Sequence, residues 1–203
     1  MQVFLETPRL LLRDFTEKDA DILYELDSDP DVIRFVNLGV IKGGIPSNID
    51  YETIKNITLP KWLDYYEQYE TYGFWAAIEK LSNEFIGWFH FRPASDNLFH
   101  FNLGFYDNSE IELGYRLKRA KWNQGYATEG SRALIHKGFS DLDTLKVVSM
   151  ALATHTASIR VMEKVGLKFV GKYFHPEIQL EVVKYALHRS EYMITSKDNI
   201  TKY

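Results

Sequence analysis

The stretch KRAKWNQGYATEG, residues 118–130, sets three basic residues and one glycine ahead of a helical pattern, in a chain whose net charge is −4. A helix leaves its first backbone N–H groups unpaired and carries about half a positive charge at that end. Anions bind there, phosphate above all. Gly125 has no Cβ and lets a ligand approach the backbone closely, and Ala127 is the next-smallest residue, two positions on. Arg116, Lys118, Arg119 and Lys121 come before it, with no acid between Arg116 and Gln124. The stretch therefore reads as the seat of a pyrophosphate. On these cues alone, a solvated basic turn whose glycine serves only to start the helix reads equally well. Neither G-x-x-x-x-G-K-[ST] nor G-x-G-x-x-G occurs, so the common phosphate and dinucleotide loops are excluded.

The totals narrow the classes. A chain of 203 residues suggests one domain, residues 1–203, which can bury roughly 70% of its unfolded surface without a disulfide or metal staple. Hydrophobic residues at 45% and charged residues at 26% suit a globular protein. Thirteen Tyr, thirteen Phe and four Trp favour a β-containing core. The absence of cysteine removes thiol nucleophiles, disulfides and Cys-based zinc sites. The six histidines show no H-E-x-x-H or other ligand spacing, so no metal is expected. The negative charge argues against nucleic acid. No window approaches 18 consecutive apolar residues, which argues against a membrane span. The start MQVFLETPRLLLRDF shows no basic run followed by a long apolar one, so a signal peptide is not expected and the cytoplasm is the default location.

Along the chain, RLLLRDF (9–15) reads as a strand and TEKDADILYELDSDPDV as a helix. Thr16 with Asp19 signals the helix's start, and Pro30 its end. Residues 37–47 form a Gly- and Pro-punctuated loop. Residues 49–69 read as helical, broken at Pro60, with Trp62, Tyr65, Tyr66 and Tyr69 at the spacing of a core-packing stripe. FWAAIE (74–79) and EFIGWFHFR (84–92) form a hairpin. Residues 93–110 read either as a long loop or as an extra hairpin. IELGYRL (111–117) is a strand whose glycine hints at a bulge. A helix follows from Gly125 to about Leu142, then the strand KVVSMAL (146–152). A short helix, TASIRVMEKVG, ends at Gly166. KFVGKYF and LEVVKYALH close the chain as strands. The order implies an α/β (α+β) fold: a mixed, mostly antiparallel central sheet with helices on both faces.

WNQGYATE resembles the acyl-CoA loop of the GNAT superfamily of N-acetyltransferases, Q/R-x-x-G-x-G/A. It is similar to the form W-G-K/R-G-Y-A-T-E of the branch that holds the ribosomal-protein alanine N-acetyltransferases. TPRLLLRDFTEKDA, IELGYRL, HTASIRVMEKVGLKFVG and LEVVKYALHRSEY resemble that branch's opening, central, penultimate and closing segments, in the same order. The resemblance implies that acetyl-CoA is the co-substrate and that a primary amine is the acceptor, on a protein N-terminus or a small molecule. It implies that backbone groups of Tyr115, Arg116 and Leu117 pair with the pantetheine arm as an added strand. Lys118, Arg119 and the amides of Asn123, Gln124, Gly125, Tyr126, Ala127 and Thr128 would then hold the pyrophosphate. His155 and Ser158 would face the arm or thiol. Three positions depart from the branch. Asn123 replaces a glycine but tolerates a left-handed backbone better than most residues. His155 replaces an asparagine. Met162 stands where many relatives have a tyrosine general acid, which this branch often lacks.

Amine acylation needs a neutral amine, a polarised thioester and a proton for the thiolate. Glu112, three residues before Tyr115, is the candidate base, and a salt-bridged structural carboxylate is its equal alternative. Ser158 is the candidate acid, with capping of the following helix as the alternative. His175, before Pro176, reads as a turn residue or as an acceptor contact. A non-catalytic acyl-CoA-binding module on the same fold is the rival function, and a homodimer is left open.

Overall fold

Described residues in this computed structural model are 2–36 and 50–200, the side chains of 195–200 excepted. The loop reading of 37–47 and the first residue of the 49–69 helix lie outside them. Two compact units make up the chain, residues 1–91 with 114–133 and residues 92–113 with 134–203.

In the first unit, strands β1 (Val3–Glu6), β2 (Leu10–Asp14), β3 (Gly73–Glu79) and β4 (Glu84–Pro93, which ends in the second unit) pair antiparallel in chain order. Between β2 and β3 come α1 (Ala20–Ser28), α2 (Pro30–Ile33), α3 (Tyr51–Thr53) and α4 (Leu59–Gln68). The expected N-terminal signal is realised by the Thr16 N–H, which donates to Asp19 Oδ2 at 2.7 Å. Pro30 follows the end of α1 and also opens α2, where its missing N–H costs nothing. Pro60 does not break the later helix. A π-helical turn, Ile54–Thr58, joins α3 to α4 just ahead of it. The wider turn accommodates a proline ring that would crowd the carbonyl four residues back.

Leu23, Leu26, Ile54, Leu59, Phe74 and Trp88 form this unit's core. The aromatic stripe packs against it as expected. Trp62 stacks on Phe74 at 4.4 Å, and the Tyr66 hydroxyl accepts from the Phe15 N–H at 2.9 Å and donates to the Phe74 carbonyl.

The second unit holds the first half of β5 (Glu110–Leu117), with β6 (Lys146–Leu152), β7 (Lys168–His175) and β8 (Leu180–His188). The β5–β6 pair is parallel. β6 and β7 each run antiparallel to β8. The mixed, mostly antiparallel pattern is thus the one expected. Residues 93–110 contain neither a plain loop nor a hairpin: a 3-10 turn, Ala94–Asp96, leads into the short helix α5 (Leu98–Phe101). The helix α6 (Tyr126–Asp141) has residues in both units, α7 (Thr156–Lys164) lies in the second, and α8 (Arg189–Ile200) follows β8. α7 closes as the sequence suggested. Leu167 N–H bonds the Met162 carbonyl and Gly166 N–H the Glu163 carbonyl, both at 3.0 Å, a Schellman ending.

Candidate active site

In the first unit, Asn123 and Gly125 both take left-handed backbone conformations, φ 59° and 85°. They flank Gln124 immediately before α6, and all three residues are exposed. The asparagine at 123 thus does what the departure from glycine required of it. A side chain at 125 would be strained by its φ. This leaves the first amides of α6 at an exposed, glycine-lined start, which suits the pyrophosphate of acetyl-CoA.

Several contacts hold that start in place. Glu129, in the first turn of α6, accepts from the Thr7 hydroxyl at 2.6 Å and the Arg9 N–H at 3.0 Å. It also pairs with the Arg9 guanidinium at 2.6 Å, and these partners hold its carboxyl below the usual range against the opposing effect of burial. Arg9 donates to the Gln124 carbonyl at 2.9 Å and lies 4.3 Å over the Tyr126 ring. From β3, Glu79 accepts from Lys121 at 2.8 Å, Ser82 at 2.6 Å and the Tyr126 hydroxyl.

The basic run is not a free positive patch. Arg116 pairs with Asp27 at 2.5 Å, Lys118 with Glu25 at 2.9 Å, Arg119 with Asp31, and Lys121 with both Glu79 and Glu84. The acids missing from the local sequence arrive from α1, α2, β3 and β4. The positive charge concentrated over residues 116–124 is thus offset by acids that the fold brings in from elsewhere. Lys118, with three donors, and Arg119, with five, keep N–H groups for a phosphate beside these carboxylates, but their charge is already offset.

The parallel ladder between β5 and β6 covers Glu110–Glu112 against Lys146–Val148 and stops there. Tyr115, Arg116 and Leu117 lie farther along β5, beyond that ladder. The glycine of this strand has a packing reason: a Cβ on Gly114 would meet the His90 ring at 2.5 Å.

In the second unit, Glu112 is buried and its carboxylate accepts from Arg92, Asn97 and Tyr106. Arg92 donates from Nε at 3.0 Å and holds a terminal nitrogen 2.8 Å away as an ion pair, both at Oε2. Asn97 Nδ2 at 2.7 Å and the Tyr106 hydroxyl at 2.9 Å donate to Oε1. Burial first, then the Glu112 charge, raises Tyr106 well above the ordinary tyrosine value. His155 is the residue before α7, and Ser158, half-buried, is in its first turn. Met162 faces inward, 3% exposed, and offers no proton. His175 is no turn residue on the surface: it ends β7 fully buried, stacked on Phe99 at 4.0 Å.

Sequence reasoning missed Arg9, Glu79, Asn97, Tyr106 and His100 as partners of the site. Their contacts link positions 3 to 120 residues apart, and no local pattern marks them. Among the described residues, no group of three or more His, Asp or Glu side chains is placed to hold a metal ion.

The family described as "Acetyltransferase (GNAT) domain" matches residues 9–168. The chain belongs to this family and is an acetyl-CoA-dependent N-acetyltransferase. Over 208 aligned residues it is 27% identical to the FsC-acetyl coenzyme A-N(2)-transacetylase of Aspergillus fumigatus, covering 99% of this chain and 83% of that protein. Its fold is similar to an acetyltransferase (GNAT family) from Bacillus anthracis, with TM-score 0.72 and 23% identity over 92% of this chain and 99% of the other. It is also similar in fold to RimL, a ribosomal L7/L12 alpha-N-protein acetyltransferase solved with coenzyme A. That match has TM-score 0.69 and 16% identity over 92% and 98% of the two chains.

Proposed function

We propose that residues 1–203 act as one N-acetyltransferase domain that passes acetyl directly to a primary amine, on a protein N-terminus or a small molecule, in the cytoplasm. The observation that carries this is the pair of left-handed residues, Asn123 and Gly125, at the exposed start of α6. Backbone amides from Asn123 to Thr128 hold the pyrophosphate. The edge formed by Tyr115, Arg116 and Leu117 takes the pantetheine arm, and His155 faces it. Bound acetyl-CoA supplies the acetyl thioester. Glu112 takes the amine's proton, directly or through water, and Ser158 gives a proton to the departing thiolate. Arg92, Asn97 and Tyr106 all donate to the Glu112 carboxylate, so a proton arriving there competes with one of them. The ribosomal-protein alanine acetyltransferase branch is supported by the WNQGYATE loop and by the fold of RimL. The FsC-acetyl coenzyme A transacetylase, by its name, serves a different acceptor, so relatives leave the amine open. The test is calorimetric binding of acetyl-CoA followed by thiol release and mass detection across a panel of peptides and small amines. Binding without release from any amine would favour the non-catalytic module.

A further inference from the structure

We propose that His100 recognises the acceptor through an uncharged Nε2–H, and that Asn97, itself held by Glu112, fixes the imidazole in that form. This rests on the acetyl-transfer reading and adds the acceptor's chemistry: an amine with a neutral oxygen, carbonyl or hydroxyl, close to the reacting nitrogen.

The tautomer follows from the hydrogen bonds. The Glu112 carboxylate only accepts, so the atom 2.7 Å from its Oε1 must be the amide nitrogen of Asn97. The same nitrogen lies 3.1 Å from His100 Nδ1. An amide nitrogen donates and does not accept, so Nδ1 is bare and the neutral ring carries its proton on Nε2. Among the described residues, no protein group is hydrogen-bonded to Nε2, and that atom is not closed off as both ring nitrogens of His175 are.

The ring is held in place by its neighbours. Phe99 lies 5.1 Å away, and Tyr106 and His175 each 5.5 Å away and nearly perpendicular. The groups facing His100 set its charge. Burial pushes it down to about 4. Glu112 from β5 opposes that, and His175 from β7 and Arg92 from β4 reinforce it. The site therefore offers one neutral donor among aromatic walls. A neutral oxygen that accepts from it gives up far less hydration than a carboxylate or ammonium would there. Glu112, the base of the acetyl-transfer reading, holds Asn97, so an oxygen bound at His100 belongs to the acceptor.

The experiment compares glycinamide with propylamine at equal free-amine concentration, using the full chain and acetyl-CoA. His100→Phe should lower kcat/KM for glycinamide about tenfold more than for propylamine, mostly through KM. His100→Gln, which keeps an N–H donor, should recover part of the difference. Equal losses on both amines would make the role structural and overturn the inference. So would wild-type protein that binds acetyl-CoA but does not acetylate glycinamide. Failure to bind acetyl-CoA would instead sink the acetyl-transfer reading. ¹⁵N NMR of the free protein supplies an independent arm. A proton on Nδ1, or titration near the ordinary histidine value, would also overturn the proposal.

Discussion

Lys121 Nζ stands 2.8 Å from Glu79 Oε2, and this contact pins the basic turn to the end of β3. Lys121 first, then Ser82 and Tyr126, hold the Glu79 carboxyl down to about 2, and Lys121 is raised in return. Because Glu25, Asp31, Glu79 and Glu84 neutralise the turn, acetyl-CoA binding should depend only weakly on salt in the wild type. Changing Lys118, Arg119 and Lys121 together to Ala should weaken binding through loss of loop order and lower the melting temperature. Calorimetry at two ionic strengths and a thermal scan check this. A steep salt slope in the wild type, lost in the triple variant, would show instead that the side chains contact phosphate.

The turn's backbone gives a second expectation. Gly125→Val adds a β-branched side chain at φ 85°, in the path of a bound phosphate. Far-UV circular dichroism should stay near native while acetyl-CoA affinity falls at least about tenfold, roughly 1.4 kcal/mol. Asn123→Gly should retain affinity, because glycine adopts φ 59° freely, while Asn123→Val should lose it. Unchanged affinity in both valine variants would refute the loop assignment.

Much of this was legible in the sequence where the signal is local. Alternation marked β8, the β3–β4 hairpin followed from its turn, and Gly166 marked the end of α7. The left-handed tolerance of Asn123 followed from residue type alone. What was not legible depends on distant partners. Four stretches of the chain close over residues 116–121 and cancel a charge that looked unbalanced. The segment 93–110 has little periodicity because it is held by point contacts: Asn97 to Glu112, Phe99 to His175, Lys184 to the Phe105 carbonyl. β1 is four residues long, too short for a pattern, and α8 has a polar sequence with little amphipathic signal.

The depressed histidine carries a pH dependence of stability. His100 titrates near 4 when folded and near 6.5 when unfolded. Between those values the unfolded chain binds the extra proton, so stability rises with pH across the window and falls as pH drops from about 6.5 to about 4. The loss should reach on the order of 3 kcal/mol at the lower end. Glu79, about 2 when folded against an ordinary 4.5, adds a loss of its own that begins at the lower end of this window and continues below it. Urea unfolding at pH 4.5 and pH 7 should show a smaller pH difference in His100→Phe than in the wild type. Identical differences would mean that another group carries the effect.

The hydrogen-bonded carboxylate of Glu112 makes the most demanding prediction. Glu112→Gln keeps the shape but puts an amide nitrogen among donors: Arg92, Asn97 and Tyr106 cannot all donate to it. At least one bond is lost, so stability should fall by about 1–3 kcal/mol. That loss is structural and would occur whether or not Glu112 handles protons. Two further readouts separate the roles. Tyr106→Phe removes one donor and leaves the carboxylate, so it reports the cost of loosening the network alone. If Glu112 takes the amine's proton, Glu112→Gln should cut kcat by about 10²–10⁴, far beyond Tyr106→Phe. Acetyl-CoA affinity should persist in both variants. Raising the pH should restore part of the Glu112→Gln rate, because more amine is then free without a base. A pH–rate profile for the wild type and both variants, on one acceptor, decides the matter. If the Glu112→Gln and Tyr106→Phe profiles fall together and keep the wild-type shape, Glu112 organises Asn97 and His100, and the proton leaves by water.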